Sequence, residues 1–511
     1  MVRHTHMDGP LLSIALDRGR PIVGQLVAAV RRGILTGAML PGDPVPSTRA
    51  LAAELGVSRS SIVAAYDQLA GEGYLEQRQG AATRVAAVPS APAGREAPGG
   101  ASPPGREAPG GAGPVPRPGG PPTLPGSPDP DAPRIDLTPG RPSTARLDER
   151  AWRAAWRAAA ASVVPSDAPP PFGLPALRDR LADHLRQARG ITCTGDDVVI
   201  TGGTSEGLGL LALALHERLG RPPRIAVEDP GYPGARAALV RHGATVVPVP
   251  VGVDGLDVAA LGTLGRLDAV MVTPSHQYPL GGRLPVADRF AVLDWARAHD
   301  AVVIEDDYDS EFRHTGAPFP ALASLDAERV VLVGSLSKVL TPWLRFGHLV
   351  LPADPALRAA VEAVRIDIAT PVAGPMQVAM AALVESGALR RHIATARRDY
   401  SHRRRLVIDA LGAVPGTRLT ALAGGLHAVL EFEPARGRTA AAHAERVSQT
   451  LAAEGVAVAR LSAYAFDPDL PGTRDGLVIG YAAVGDAQLV EALGRVRDVV
   501  RASLDAGPEA L

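Results

Sequence analysis

At 511 residues, with 46% hydrophobic and 21% charged side chains, the chain is long enough for more than one domain and ordinary in composition for a globular protein. No apolar run approaches the roughly 18 residues of a membrane span, and the short apolar patch before Asp17 is too short for a secretory signal, so neither a span nor export is expected. A net charge of −1 gives no global attraction to nucleic acid, and a single cysteine, Cys193, excludes an internal disulfide and fits a reducing, cytoplasmic compartment.

Residues 1–86 read as short helices followed by a hairpin. Pro21 suits a first helical turn, and Ile22, Leu26, Val30 and Ile34 recur at helical spacing. Further on, Ser47 is placed to cap a helix carrying Leu51 and Leu55, Gly56 and Val57 to make a turn, and Ser58 to cap a helix carrying Ile62, Tyr66 and Leu69. Two short helices around a glycine turn form a helix-turn-helix pattern. Residues 74–77 and 83–86, joined through Gly80, would complete a two-stranded wing. Residues 87–133 are almost all Pro, Gly, Ala and Ser, with the octamer GREAPGGA at 94–101 and again at 105–112. Too few large apolar residues are present to offset the ordering entropy, so a flexible, disordered linker is expected.

Residues 134–505 alternate β-branched apolar runs with helical stretches. The runs begin with "DVVIT" at 197–201 and "RIAVE" at 224–228, continue through "AVMVT" at 269–273 and "AVVIED" at 301–306, and end with "VVLVG" at 330–334 and "HLVLP" at 348–352. Runs this apolar suit strands buried on both faces, so the fold class expected is α/β with a mainly parallel central sheet. From about residue 385 a smaller α+β lobe follows.

Ligands of open α/β sheets gather at the carboxyl ends of the strands. There the chain places Gly202-Gly203-Thr204-Ser205, Asp229-Pro230-Gly231-Tyr232, Pro274-Ser275-His276-Gln277, Asp306-Asp307-Tyr308 and Ser335-Leu336-Ser337-Lys338, with Arg345 seven residues on. A Gly-Thr-Ser turn opening a helix offers N–H groups to a phosphate, to which Ser335 and Arg345 could add a hydroxyl and a guanidinium. Tyr232 offers a stacking face, Asp306 a carboxylate for a protonated ring nitrogen, and Tyr308 a donor for a phenolic oxygen. Lys338 is the sole lysine among 53 Lys+Arg residues. An amine can lose its proton and form a Schiff base with an aldehyde, whereas a guanidinium stays protonated. Phosphate, ring nitrogen, phenolic oxygen and aldehyde together describe pyridoxal 5′-phosphate. Each piece alone has a plainer reading: the acidic string Glu305–Asp309 as a Mg²⁺ site, His276 as a structural histidine, Gly-Gly-Thr-Ser as a helix entry. Their joint occurrence favours the cofactor and no metal.

Two groups of motifs then carry a family resemblance. "PSTRALAAELGVSRSSIVAAYDQLAGEGYLE" resembles the winged helix of GntR-type regulators, and "EDPGY", "TPSHQYPLGG", "IEDDYDSEFR" and "SLSKVLTPWLRFGHLVLP" resemble the fold-type I aminotransferase domain of the MocR/GabR subfamily. The resemblance implies a bacterial transcription regulator, cytoplasmic and nucleoid-associated, usually a head-to-tail homodimer, whose body binds pyridoxal phosphate and an amine or amino-acid effector. It implies Lys338 as the lysine bonded to the cofactor, Asp306 and Tyr308 as the ring-nitrogen and phenolic-oxygen partners, and Tyr232 as the stacking ring. The phosphate cradle would be Gly203, Thr204, Ser205, Ser335, Ser337 and Arg345. Two positions depart from the pattern. Val478 stands where aminotransferases carry the arginine for a substrate carboxylate, with Arg474 nearby as a substitute, and Ala168 stands where a tyrosine often reaches the partner subunit's phosphate. Both departures point to a sensor more than an efficient transaminase, with an active aminotransferase carrying a DNA-binding domain as the alternative.

A recognition helix places its N-terminal residues against base edges and the preceding helix crosses the backbone. Ser58, Arg59, Ser60 and Ser61 therefore face bases, with Arg59 suited to bidentate reading of guanine, while Ser47, Thr48 and Arg49 meet phosphate. Gly80 would let the wing tip approach the minor groove. With nine Arg against seven Asp+Glu in residues 1–86, a protein-binding winged helix is the plainer alternative.

Overall fold

The computed structural model describes residues 3–4, 13–14, 16, 22–35, 38–71, 74–76, 83–86, 135–314, 320–433, 439–468 and 474–505. The linker expected at 87–133 and Gly80 in the wing lie outside the described residues. The chain divides into two compact units, Met1–Ala132 and Pro133–Leu511.

In the first unit, α1 (Ile22–Leu35), α2 (Thr48–Leu55) and α3 (Arg59–Gly71) surround an apolar centre of Leu26, Val30, Leu51, Ile62, Tyr66 and Leu69. The Ser47 side chain accepts from Ala50 N at 3.2 Å and starts α2; Gly56, at φ 62°, ends it in the left-handed region where a Cβ would be strained. Ser58 repeats the cap for α3, accepting from Ser61 N at 3.1 Å. The Tyr66 hydroxyl donates to Pro46 O at 2.8 Å, which ties α3 to the entry of α2. Two short antiparallel strands, β1 (Leu75–Glu76) and β2 (Arg84–Val85), follow as the wing.

The second unit is built on a seven-stranded sheet. In chain order its strands are β3 (Val198–Thr201), β4 (Arg224–Asp229), β5 (Thr245–Pro250), β6 (Ala269–Val272), β7 (Val302–Asp307), β8 (Val330–Ser335) and β9 (Gly347–Val350). Across the sheet they lie β3-β9-β8-β7-β6-β4-β5. All neighbours are parallel except β9, which runs antiparallel to both β8 and β3. Alternate residues feed two separate cores: Val198, Ile200, Val303 and Leu332 face one, Val199, Ile304, Val331 and Val333 the other. Burial on both faces is why these strands read as uninterrupted apolar runs. A second, antiparallel sheet, β10 (Thr417–Thr420), β11 (His427–Phe432), β12 (Ala459–Arg460) and β13 (Gly476–Gly480), lies in the order β10-β11-β13-β12 and forms the smaller lobe.

The register sets the functional rim. Ser335 pairs with Gly347 and Gly347 with Thr201, so the carboxyl ends of β8 and β3 flank the start of the antiparallel β9. The chain just before β9, which holds Arg345, therefore reaches the same edge as the ends of β4, β6 and β7. Among the described residues, no helix is long and apolar enough to cross a membrane.

Candidate functional site

The first corner of the rim is a helix N-terminus. β3 ends at Thr201, Gly202 and Gly203 turn the chain, and α4 (Thr204–Leu219) begins with no side-chain cap, leaving its first N–H groups for a ligand. Gly203 sits at φ 93°, and a Cβ placed on Gly347 would lie 2.9 Å from Gly203 Cα, so bare backbone lines this corner. A Cβ on Gly203 would face Ser337 Oγ at 4.0 Å, and Ser335 Oγ accepts from Ser337 N at 3.1 Å, which brings both serines to the turn. Arg345 is exposed, holds the left-handed φ of 45°, and acts electrostatically on Lys338 and Tyr232. Thr204 and Ser205 are half-buried, and the Ser205 side chain acts on the Tyr232 hydroxyl, opposing the rise in its pKa that burial causes. N–H groups, hydroxyls and one guanidinium around a glycine-lined turn fit a phosphate.

The second corner is the end of β7. Its acidic residues do not converge as a metal site would require. Glu305 accepts from Ala323 N, Asp307 pairs with Arg189 at 2.7 Å, and Asp309 binds His276 Nδ1 at 2.8 Å. No group of His, Cys, Asp and Glu able to hold a metal occurs among the described residues. Asp306 is different: it is 5% exposed, and its Oδ1 has no hydrogen-bond partner. Burial, then the charges of Asp307, Asp309 and Glu228, push its carboxyl up to about 8, against the opposing pull of Lys338. A buried carboxyl with an unmet oxygen is the complement of a cationic ring N–H. The Tyr308 hydroxyl lies 2.9 Å from His276 Nδ1, so His276 holds both Tyr308 and Asp309.

Lys338 is the third corner. Its Nζ donates to Gly140 O at 2.7 Å. Burial lowers its pKa, with Arg345 acting in the same sense and Asp306 and Asp309 opposing, so an uncharged, nucleophilic amine is more accessible than on an ordinary lysine. Four of the chain's eight tyrosines meet beside these groups. Tyr278 contacts Tyr232, Tyr308 and Tyr464 edge-on at 6.0, 5.3 and 5.3 Å, and its hydroxyl donates to that of Tyr464 at 3.4 Å. Sequence reasoning missed Gly140, Tyr278 and Tyr464 and read His276 as structural. The gathering of tyrosines in a chain with 4% aromatic residues is a signal that only the fold makes visible.

Val478 is fully buried in an apolar cluster with Leu280, Val429, Leu461 and Tyr464. Arg474 is engaged elsewhere, donating through Nε and Nη2 to Glu431 at 3.0 and 2.6 Å. It does not stand in for the missing cation. Ala168 is exposed in the loop before Gly173.

In the first unit, Ser47, Arg49, Ser58, Arg59 and Ser60 are exposed, and Thr48 and Ser61 half-buried. Arg59 Nε donates to Thr48 Oγ1 at 3.5 Å, a long contact that brings the starts of α2 and α3 together. Ser58 Oγ lies 2.8 Å from the hydroxyls of both Ser60 and Ser61.

Comparison with known proteins matches each unit. The family described as "Bacterial regulatory proteins, gntR family" matches residues 22–85, and "Aminotransferase class I and II" matches residues 133–496. The chain is 39% identical over 491 residues to the HTH-type pyridoxine biosynthesis transcriptional regulator PdxR of Corynebacterium glutamicum, covering 96% of this chain and 98% of that protein. It is 30% identical to the probable rhizopine catabolism regulatory protein MocR of Rhizobium meliloti, covering 97% of each. Among solved structures, an aminotransferase from Mycobacterium tuberculosis matches with a TM-score of 0.61 and 27% identity, over 72% of this chain and 92% of that one.

Proposed function

The chain belongs to the MocR-type family of GntR regulators, with a gntR-family head before an aminotransferase class I and II body, and from that premise we propose that it is a transcription regulator that binds operator DNA through the head and senses pyridoxal 5′-phosphate, free or joined to an amine, in the body. The observation that carries the reading is the convergence on one sheet rim of the sole lysine, a buried carboxyl with an unmet oxygen, and an uncapped, glycine-lined helix start.

In this reading Lys338 holds the cofactor covalently, Asp306 takes the ring N–H, Tyr308 the phenolic oxygen, and Tyr232 stacks. Gly203, Thr204, Ser205, Ser335, Ser337 and Arg345 hold the phosphate. Bound there, the cofactor supplies an electrophilic carbon and an electron-withdrawing ring. The protein's own part is to keep the Lys338 amine deprotonable by burial, to present at Asp306 a buried carboxyl with an unmet oxygen, and to fix Tyr308 through His276. The apolar surroundings of Val478 and the engagement of Arg474 with Glu431 favour sensing over turnover of amino acids. The division into a head at 1–86, a linker at 87–133 and a body at 134–505 belongs to the same reading. So do a homodimer presenting two heads and a place in the cytoplasm on the nucleoid. The name of the PdxR relative supports genes of pyridoxine biosynthesis as targets, so that the body measures what those genes make.

Mapping of bound DNA across the genome, with and without pyridoxal phosphate, tests the proposal. Occupancy at discrete promoters that changes with the vitamer is expected. Identical occupancy in both conditions would overturn the sensing role, and absence of discrete sites the regulatory one.

A further inference from the structure

The long helix α5 (Ala388–Leu411) carries an arginine stripe that the cofactor site does not use. Seven of its 24 residues are arginine, against two aspartates. Three of the seven serve the fold: Arg403 holds Asp486, Arg397 donates to Glu311 O, and Arg404 to Leu422 O. The other four, Arg390, Arg391, Arg398 and Arg405, are exposed.

Arg391, Arg398, His402 and Arg405 are spaced by seven, four and three residues, which places them within one narrow arc of the helix surface. The opposite arc, with Leu389, Ile393, Tyr400, Val407 and Leu411, is buried in the core. From Arg391 to Arg405 the stripe extends about 21 Å.

These cations are not neutralised. No carboxylate lies within ion-pair distance of Arg390, Arg391, Arg398 or Arg405 among the described residues; three of them bond only neutral oxygens, at Gln187, Ser386 and Thr395. Several other exposed arginines of the body do pair, as Arg146 does with Asp399, Arg153 with Glu149 and Arg297 with Asp294, whereas the exposed Arg150, Arg157 and Arg241, away from this helix, have no ion pair among the described residues. On the stripe itself Asp409 is the one acid, at its far end, and His402 lies 3.4 Å from Asp486.

We propose that this face of α5 binds the sugar-phosphate backbone of DNA, so that the body contributes contacts to the duplex its heads select. The inference rests on the DNA-binding reading above. A row of guanidiniums with no carboxylate partners fits a line of phosphates, which guanidinium groups bind bidentately. A membrane surface fits less well, because a helix lying on lipid exposes large apolar side chains between its cations. The large apolar residues of α5 are buried, apart from the half-buried Leu406 and Ile408, and none is exposed between the cations.

The test compares the full chain with Arg391→Gln/Arg398→Gln/Arg405→Gln and with a control, Arg150→Gln/Arg157→Gln/Arg241→Gln, which removes three exposed arginines elsewhere. Binding to a long random-sequence duplex is measured by fluorescence anisotropy across a salt series. Melting temperature and cofactor absorption confirm that each variant is folded and loaded. The stripe variant should lose about tenfold or more in affinity at low salt, and its slope of log affinity against log salt should flatten by about 2–3 relative to the parent, with the control close to the parent. Equal slopes in the stripe and control variants would overturn the inference and leave the regulator reading standing. Loss of binding to anionic lipid vesicles with an unchanged DNA slope would assign the stripe to a membrane and overturn it too. No duplex binding by the parent chain would remove both readings.

Discussion

Lys338 Nζ donates to the carbonyl oxygen of Gly140 at 2.7 Å, across 198 residues of sequence. Gly140 belongs to a short strap whose strand Ile135–Asp136 pairs with Val456–Ala457, and Gly480 N donates to Leu137 O at 2.7 Å. The reactive amine is thereby tied to the segment that begins the second unit. Gly140 holds φ 84°, and a Cβ there would lie 2.7 Å from Lys338 Nζ. Gly140→Ala should cost about 1–3 kcal/mol of stability in urea unfolding, because it combines a left-handed non-glycine residue with a displaced lysine. The same variant should slow the rise of visible absorption on adding pyridoxal phosphate. Unchanged stability and unchanged uptake would show that the contact is incidental.

Asp306 predicts a pH dependence of stability for the cofactor-free protein. Its carboxyl is pushed from 3.8 up to about 8, so between these values the folded protein holds a proton that the unfolded chain has released. Stability therefore falls as pH rises through that window. Glu228, raised by burial to about 7, acts in the same sense, so Asp306→Asn should flatten the slope of melting temperature against pH without abolishing it. Saturating pyridoxal phosphate should flatten it as well, by giving Asp306 a cationic partner. A slope identical in parent and variant would remove Asp306 from the account.

Val478→Arg tests whether restoring the aminotransferase arginine restores turnover. Val478 is fully buried among Leu280, Val429 and Tyr464, and the carboxylate at Glu431 is already shared by Arg418 and Arg474. An unpaired guanidinium placed there should destabilise by on the order of 3 kcal/mol or more and confer no steady transamination of common amino acids. A folded, multiple-turnover variant would show that the sensor reading undervalues the site.

Arg59→Ala should cost roughly 1–3 kcal/mol on a specific operator and relax one base preference. Its guanidinium stands exposed at the start of α3, within 3.5 Å of Thr48 Oγ1, where it could switch from that contact to a base. Operator affinity equal to that of the parent would place base reading on other residues.

The fold was largely legible because strands covered on both faces carry apolar residues at every position, as in Val198–Ile200 and Val302–Ile304. The rim followed, since polar residues just after such runs have one edge to occupy. What the sequence did not disclose depends on long-range closure. Tyr278 and Tyr464 share a contact across 186 residues, and nothing local marks either as a neighbour of the other. His276 looked structural because a lone histidine carries no partner in sequence; its bonds to Asp309 and Tyr308 arise from the loops after β6 and β7. Arg474 illustrates the reverse case. Proximity in sequence to the missing arginine suggested a substitute, and its two bonds to Glu431 show where its charge is spent.

The central claim is that the one lysine of this chain captures pyridoxal phosphate through its amine. Protein saturated with the vitamer, reduced with borohydride and digested, should yield the peptide containing Lys338 with the pyridoxyl mass added, and Lys338→Ala should yield no such adduct. An unmodified Lys338 peptide from saturated protein would contradict the account at its base.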